Sequence, residues 1–424
     1  MRVVFGIDVS KATSTVAIVV NRNQVAGWEI PNNRVGFRKL LASLRNFKKP
    51  EIVFEATGLY SRRLRVFLDD YGYRYTRVKG DSMSKVRVFL DDYGYRYTQL
   101  NPLASKKQLD RLRPNKTDKN DAHNLAETQF QIDRALTYCQ QPVYQELLDW
   151  SRSYDQVTCD SVTAKNRLHK ALQCTFPEAE QILDSPTGHL YWHLLQQYPH
   201  AELVLKARPT ELRQTIEAIP HVSHQRSLEI ANRLYRLAAQ AYPCVGEQGA
   251  MVEQVHYLAT QLLALDARKQ MIINQMAQLA QQLPELAILE SIPGIGVNTA
   301  VRSIGELGDV RRFRGSNQLN AFVGIDLRHF ESGEFVADDH ISKRGDPYAR
   351  KILYRSILNI IISAKTCPSH INDYISRKKK QSSGKTSFKK IAIGAMHHLN
   401  RTIYYLITTN QKYSYHRARS KAKS

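Results

Sequence analysis

The chain opens on two apolar, largely β-branched runs, VVFGID from Val3 and STVAIVV from Ser14, separated by the polar SKAT. That pattern predicts a β-hairpin, and a third run from Val25 to Ile30 extends it to a meander. The periodicity then changes. Val35 to Leu44 carries apolar residues at helical spacing, EIVF runs into EATG as a buried strand, and Ser61 to Tyr71 is again helical. Strands alternating with helices after a meander predict a mixed sheet flanked by helices.

A tandem duplication interrupts this pattern. RVFLDDYGYRYT at Arg65 to Thr76 recurs unchanged at Arg87 to Thr98, an offset of 22 residues. The unit is too short and too local for a solenoid, which needs several stacked repeats. One copy of GYRYT is expected to fill a strand slot. The second copy is favoured, because it runs directly into Gln99, Leu100 and the acidic segment beyond, leaving the first copy with RVKGDSMSK to loop out. Two copies competing for one strand invite register slip, so reduced stability is expected rather than lost chemistry.

After Asp121 the pattern is helical for a long stretch, with Leu148, Val157, Val162, Leu168 and Leu172 on plausible faces. Val255, Leu258, Leu262, Leu265, Ile272, Met276, Leu279 and Leu283 follow spacings of three and four, broken where Lys269 holds a seam position. This predicts a coiled-coil seam, whose partner could be another copy of the chain or the Leu148 helix. Beyond Pro284, IPGIG at Ile292 to Gly296 has the small-residue turn of a helix-hairpin-helix. Such a turn can grip a phosphate through its amides or simply pack two helices. The organisation expected is α/β plus α: a mixed-sheet domain over 1–143 containing the duplicated segment 65–98, a helical coiled-coil linker over 144–284, a mainly helical domain over 285–405, and a basic tail over 406–424.

Charge adds a partner. The chain of 424 residues has 61 Lys and Arg against 39 Asp and Glu, a net charge of +22. Self-repulsion of that size calls for a polyanion, and nucleic acid is the leading candidate. From Ile341 to Ser424 there are 19 Lys and Arg against only Asp346 and Asp373, so +17 sits in the last fifth of the chain. Five cysteines without a CxxC pair argue for a reducing compartment and against a zinc ribbon. No apolar run approaches the ~20 residues that cross a bilayer. The expected location is cytosolic or nucleoid-associated.

Four acids carry the candidate chemistry. Asp8 and Glu55 each close an apolar strand, where a buried carboxylate is costly without a compensating cation. Asp118 and Asp121 stand three apart and share one helix face, although TDKND could also be a helix cap. Such a quartet suits a hard divalent ion such as Mg²⁺, and two ions can stabilise both the attacking and the leaving oxygen of a phosphodiester. Ser332, in HFESGEF, is a second candidate that residue types alone leave weak, since a Ser-Gly pair is most often just a turn. SSGKTS from Ser382 lacks the first glycine of a phosphate-binding loop, which excludes nucleotide hydrolysis on that motif. His397 and His398 are neighbours and do not face one metal. Tyr404, Tyr405, Tyr413 and Tyr415 could stack on bases or pack in a core. The cations expected to touch nucleic acid are Lys106, Lys107, Lys116, Arg167, Lys343, Arg344, Arg350 and Lys351.

The blocks GIDVSK, FEATGLY, NPLASKK, KTDKNDAHNLAE, LESIPGIGVNTA, ELGDVRRF, QLNAFVGI, ESG and ISKRGDPYARKILY occur in this order along nearly the whole chain. Together they resemble the insertion-sequence 110 family, DEDD transposases described as serine recombinases guided by a bridge RNA. The resemblance implies an N-terminal RuvC-like domain of the ribonuclease H class, a coiled-coil linker and a C-terminal transposase domain. It implies Asp8, Glu55, Asp118 and Asp121 as ligands of Mg²⁺, with two ions per site, and Ser332 as a nucleophile that joins covalently to DNA. It further implies excision and insertion of the chain's own mobile element by a homo-oligomer, dimer or tetramer, on DNA and a structured guide RNA. One departure stands out: the family's Gly-Leu-x-Pro turn is replaced by Gly324, Ile325, Asp326 and Leu327. The rivals are a RuvC-like nuclease or junction resolvase using water, which survives Ser332→Ala, and a non-catalytic binder, which tolerates Asp8→Ala.

Overall fold

A computed structural model of the chain describes residues 1–55, 61–71, 75–78, 118–131, 140–328, 331–332, 335–336, 340–382 and 387–417. Backbone contacts divide it into two compact units. One comprises Met1–Leu148, Ser291–Gly294 and Ser303–Ser424, the other Asp149–Glu290 and Ile295–Arg302.

The first unit begins with β1 (Val3–Val9), β2 (Thr13–Val20) and β3 (Asn23–Pro31), the expected antiparallel meander. The turn at Ser10 is pinned by Asn32, whose amide donates to the carbonyls of Ser10 and Thr13. Next come α1 (Arg34–Arg45), β4 (Glu51–Glu55), α2 (Ser61–Asp70) and β5 (Tyr75–Val78). The sheet order is β3-β2-β1-β4-β5, with β4 parallel to both β1 and β5. The sheet is therefore mixed, as the change of periodicity predicts.

Alternation sorts each strand onto two faces. Phe5, Ile7, Ile52 and Phe54 pack beneath Leu40 and Leu44 of α1 and Leu64 and Leu68 of α2. Val4, Val19 and Val53 turn the other way, against Leu125 and Ala126 of α3 (Asp118–Gln131). Because β1 and β4 are covered on both sides, they read as continuous apolar runs. Each fully buried Phe, Ile or Leu contributes about 1.5–3 kcal/mol.

The duplication resolves differently from expectation. The strand slot beside β4 is filled by the first copy, with Ile52 paired to Tyr75 and Glu55 to Val78. Arg77 and Val78, assigned to a loop by the sequence pattern, belong to that strand. The physical reason is connectivity: α2 delivers the first copy directly to the sheet edge, whereas the second would have to close a longer loop. The second copy, Arg87 to Thr98, lies outside the described residues, as do Lys106, Lys107 and Lys116.

The second unit is helical. It includes most of α4 (Pro142–Thr175), then α5 (His189–Gln197), α6 (Ala201–Lys206), α7 (Pro209–Glu217), α8 (His224–Gln240) and α9 (Ala250–Ala280). The predicted seam lies on α9 from Val255 to Leu279, with Leu283 just beyond the helix. Its Val255, Leu258 and Leu262 are buried with Leu168 and Leu172 of α4 and with Trp192 and Leu195 of α5. Within this half of the seam, the chain's own helices supply the cover. Among the described residues no helix is long and apolar enough to cross a membrane.

The chain continues through α10 (Pro284–Glu290), α11 (Val297–Leu307) and α12 (Ser316–Val323). The short strands β6 (Leu327–Arg328), β7 (Glu331–Ser332), β8 (Phe335–Val336) and β9 (His340–Ile341) follow. The last elements are α13 (Pro347–Ser363), α14 (His370–Ser382) and α15 (Phe388–Thr408). In IPGIG, Gly294 has φ +85°, and a Cβ there would lie 2.6 Å from the Ile360 nitrogen of α13. Gly294 thus serves packing, while the space around Gly296 is open.

Candidate active site

The placement of the four acids follows from backbone geometry. The parallel register between β1 and β4 ends at Ile7 opposite Phe54. Asp8, the last residue but one of β1, and Glu55, the last of β4, come next on these neighbouring strands, spaced about 4.8 Å apart. Both fall on the face opposite Phe5, Ile7 and Phe54, which is the face α3 covers. Asp8 is half-buried there and is opposed on β2 by Thr15.

Helix α3 brings the other two. A Cβ on Gly6 would lie 2.0 Å from the Ala122 carbonyl oxygen, so only glycine lets the helix lie this close on β1. At the far end, Arg2 donates through Nη2 to the Gln129 carbonyl at 2.8 Å. Arg2 also grips Glu51 in a forked pair at 2.7 and 3.0 Å, and Gln129 Nε2 donates to the same carboxylate at 3.0 Å. These contacts run α3 antiparallel to β1, so its first turn sits at the strand end that carries Asp8. Asp118 precedes Ala122 by one helical turn, and Asp8 follows Gly6 by two strand residues. Both steps cover about 6 Å. Asp121, half-buried, lies one turn before the buried Leu125 on an adjoining stripe. The backbone thus brings Asp8, Glu55, Asp118 and Asp121 to one end of the sheet, under one helix start.

Four carboxylate-bearing residues gathered this way match the hard oxygen donors of a divalent ion such as Mg²⁺. Of the four, only the side chains of Asp8 and Asp121 are among those described. Among the described residues no group of three or more His, Cys, Asp or Glu side chains stands in range of one metal. The fit therefore rests on where the strands and the helix place the residues.

Ser332 ends β7, paired with Phe335 on β8. Outside that ladder, Leu327 and Arg328 pair with Ile341 and His340. The base of this β-arm is locked by Ser342, Lys343, Gly345 and Asp346 of the ISKRGD segment. Ser342 donates its amide to the Asp326 carbonyl at 2.8 Å and its hydroxyl to the Asp326 carboxylate at 2.5 Å. Lys343 takes a left-handed φ of +53° and donates its amide to the Gly324 carbonyl. Arg344 is exposed. A Cβ on Gly345 would lie 2.2 Å from the Phe322 carbonyl oxygen. Asp346 caps α13, accepting from the amides of Tyr348 and Ala349. His397 donates through Nε2 to the Ile325 carbonyl at 3.0 Å, and burial pushes its pKa below the ordinary range. Sequence reading marked the turn at Asp326 only as a departure and missed its partner, since nothing periodic links residues 16 apart.

The predicted cations divide. Arg350 donates Nη1 to the Val323 carbonyl at 2.8 Å and is half-buried, so it ties α13 to α12. Lys343, Arg344, Lys351 and Arg167 are exposed. Of the tyrosines, Tyr413 stacks on His370, Tyr415 donates to Asp373, and Tyr404 donates to the Phe313 carbonyl.

Comparison with known proteins bears on both halves. Residues 5–88 and 86–177 match a family described as DEDD transposases of IS110, the two stretches meeting at the duplication. Residues 286–374 match the transposase family IS116/IS110/IS902. The transposase for insertion sequence element IS1111A of Coxiella burnetii is 32% identical over 117 residues, which cover 28% of this chain and 31% of that protein. The IS110 insertion element's uncharacterized 43.6 kDa protein of Streptomyces coelicolor is 23% identical over 206 residues, 48% of this chain and 50% of that one. A pilin gene-inverting protein of Moraxella bovis is 28% identical over 145 residues, 33% of this chain and 43% of its own length. The chain spans between about a third and a half of these relatives. The match is to DEDD transposases, a class apart from the serine recombinases, and this corrects the serine-recombinase part of the sequence resemblance.

Proposed function

Because the chain belongs to the IS110 family of transposases, we propose that it cuts and rejoins DNA to move an insertion sequence, using the acidic cluster of its sheet domain. The observation that carries this reading is the arrival of Asp8, Glu55 and the first turn of α3 at one strand end, on one face. Asp8, Glu55, Asp118 and Asp121 would hold Mg²⁺, two ions at most for four carboxylates. When bound, such ions neutralise charge developing on a phosphodiester. The protein's own part is to fix the carboxylates on rigid elements, with α3 held to β1 at Gly6 and at Arg2.

Ser332 is the proposed nucleophile, as a second centre within a DEDD transposase and not as the mark of a serine recombinase. Its hydroxyl oxygen would bond to a DNA phosphorus as one phosphate ester bond breaks and a DNA hydroxyl leaves. Return attack by a DNA hydroxyl would then release the serine and rejoin the strand. The structural support is the locked base of its β-arm, where Ser342 bonds to Asp326 across the arm, Lys343 donates its amide to the Gly324 carbonyl and Asp346 donates its amide to the Phe322 carbonyl of α12. A site built on a fixed base holds a reactive group more reproducibly than a free loop. Asp326, in the position where the family's turn differs, supplies one of those ties.

A structured guide RNA, a homo-oligomeric assembly and association with the nucleoid belong to the same proposal. They are supported by the sequence resemblance and by the net charge of +22. Base pairing would then choose the site, and the protein would need only backbone contacts.

The test is to incubate the full chain with Mg²⁺, labelled DNA ends of the element and RNA transcribed from its flank. A denaturant-resistant protein–DNA adduct is expected in wild type and absent in Ser332→Ala. Cleavage without an adduct, undiminished in Ser332→Ala, would replace the serine with water as nucleophile and make the chain a RuvC-like nuclease.

A further inference from the structure

Six cations gather where α14 ends and α15 begins. Arg377, Lys378, Lys379 and Lys380 occupy the last turns of α14, Lys389 and Lys390 the first turn of α15, and all six are exposed. The two helices pack together, and Lys379 Nζ sits 5.2 Å from the centre of the Phe388 ring, which draws the two sets into one patch. No Asp or Glu occurs anywhere after Asp373. Among the described residues none of the six is held in an ion pair.

Helix electrostatics account for only part of this. Lys379 and Lys380 suit the negative end of α14. Lys389 and Lys390 do not: they stand at the positive end of α15, whose first turn contains no acid. Cations there oppose the helix dipole. Six like charges together, two of them at the wrong helix end, form a patch built for an external polyanion.

We propose that the patch formed by the end of α14 and the start of α15 is a docking site for the phosphate backbone of double-stranded DNA, on elements that carry neither the acidic cluster nor Ser332. It rests on the reading that the chain acts on DNA. Recognition is by charge alone, because the charged side chains of the patch are all Lys and Arg, which can track phosphates without reading base edges.

The experiment is a salt titration of binding to a labelled random-sequence duplex, with full-length wild type and a variant carrying Lys379→Gln, Lys380→Gln, Lys389→Gln and Lys390→Gln. Each cation on a phosphate contributes about −0.9 to the slope of log K against log salt. The variant's slope should therefore be shallower by about three to four. A second variant, Lys389→Glu with Lys390→Glu, places acids at the positive end of α15. It should melt higher than wild type and bind DNA more weakly, a pair of opposite changes that a misfolded protein cannot give. Equal slopes in wild type and the four-fold variant overturn the proposal. So does a variant that loses affinity only for an RNA hairpin of equal length. The proposal fails on binding slopes, whereas the catalytic reading fails on cleavage, so the two failures are distinguishable.

Discussion

At the scale of single residues, the architecture of the acidic site turns on Gly6. It has no side chain because α3 needs the space: a Cβ would come within 2.0 Å of the Ala122 carbonyl and 2.9 Å of the Ala126 nitrogen. Both are backbone atoms, so relief requires moving the helix. Gly6→Ala is expected to destabilise by about 1–3 kcal/mol. It should also slow DNA cleavage, because α3 carries Asp118 and Asp121. A melting curve and a cleavage rate check both, and a variant with wild-type values would mean that α3 does not set the site. The neighbouring placement of Asp8 and Glu55 was legible in the sequence because a carboxylate closing an apolar run is conspicuous. That of Asp326 and Ser342 was not, because their contact joins two irregular segments that no local pattern connects.

At the scale of elements, the duplication shows what sequence leaves open. Two identical copies of RVFLDDYGYRYT have identical propensities, so only chain connectivity could choose between them, and it chose the copy that α2 hands to the sheet. The meander, α1, β4 and α2 were readable because their periodicity changes at each boundary. The α9 seam was readable as a buried helix face, but a heptad pattern states only that a face is covered, and the cover proved to come partly from α4 and α5. Deleting Arg65 to Val86 leaves one intact copy to follow Leu64, with Tyr97 to Leu100 taking the place of Tyr75 to Val78. The shortened protein should melt at the same temperature as the full chain or above it. Calorimetry tests this, and a lower melting temperature would mean that the extra copy is a structural part of the fold.

At the scale of the whole molecule, half-buried histidines set a pH range for stability. In the helical C-terminal region, burial is the main cause that pushes His370, His397 and His398 below the ordinary histidine range. His398, with Arg401, His370 and Arg377 nearby, falls to about 4. Each binds its proton less readily folded than unfolded. Their contribution to stability is therefore whole above about pH 6.5, the unfolded value, and declines as pH falls from there toward 4. Melting temperature should drop over that window, and His398→Gln should reduce the drop. An acid profile identical in the variant would remove His398 from the account.

The acidic cluster is the centre of the proposal, and Asp8→Asn tests it most directly, because it keeps the size and hydrogen-bonding reach of the side chain and removes only its charge. Wild type and variant would be compared for the cleavage rate of the element's DNA ends in Mg²⁺, and for the rise in melting temperature that Mg²⁺ produces without DNA. Cleavage is expected to fall by about 10³-fold, and the Mg²⁺-dependent rise in melting temperature should shrink or vanish. A variant that cuts DNA at the wild-type rate and keeps the full Mg²⁺ effect would contradict the assignment of Asp8, and with it the reading of the strand-end cluster as the site of cleavage.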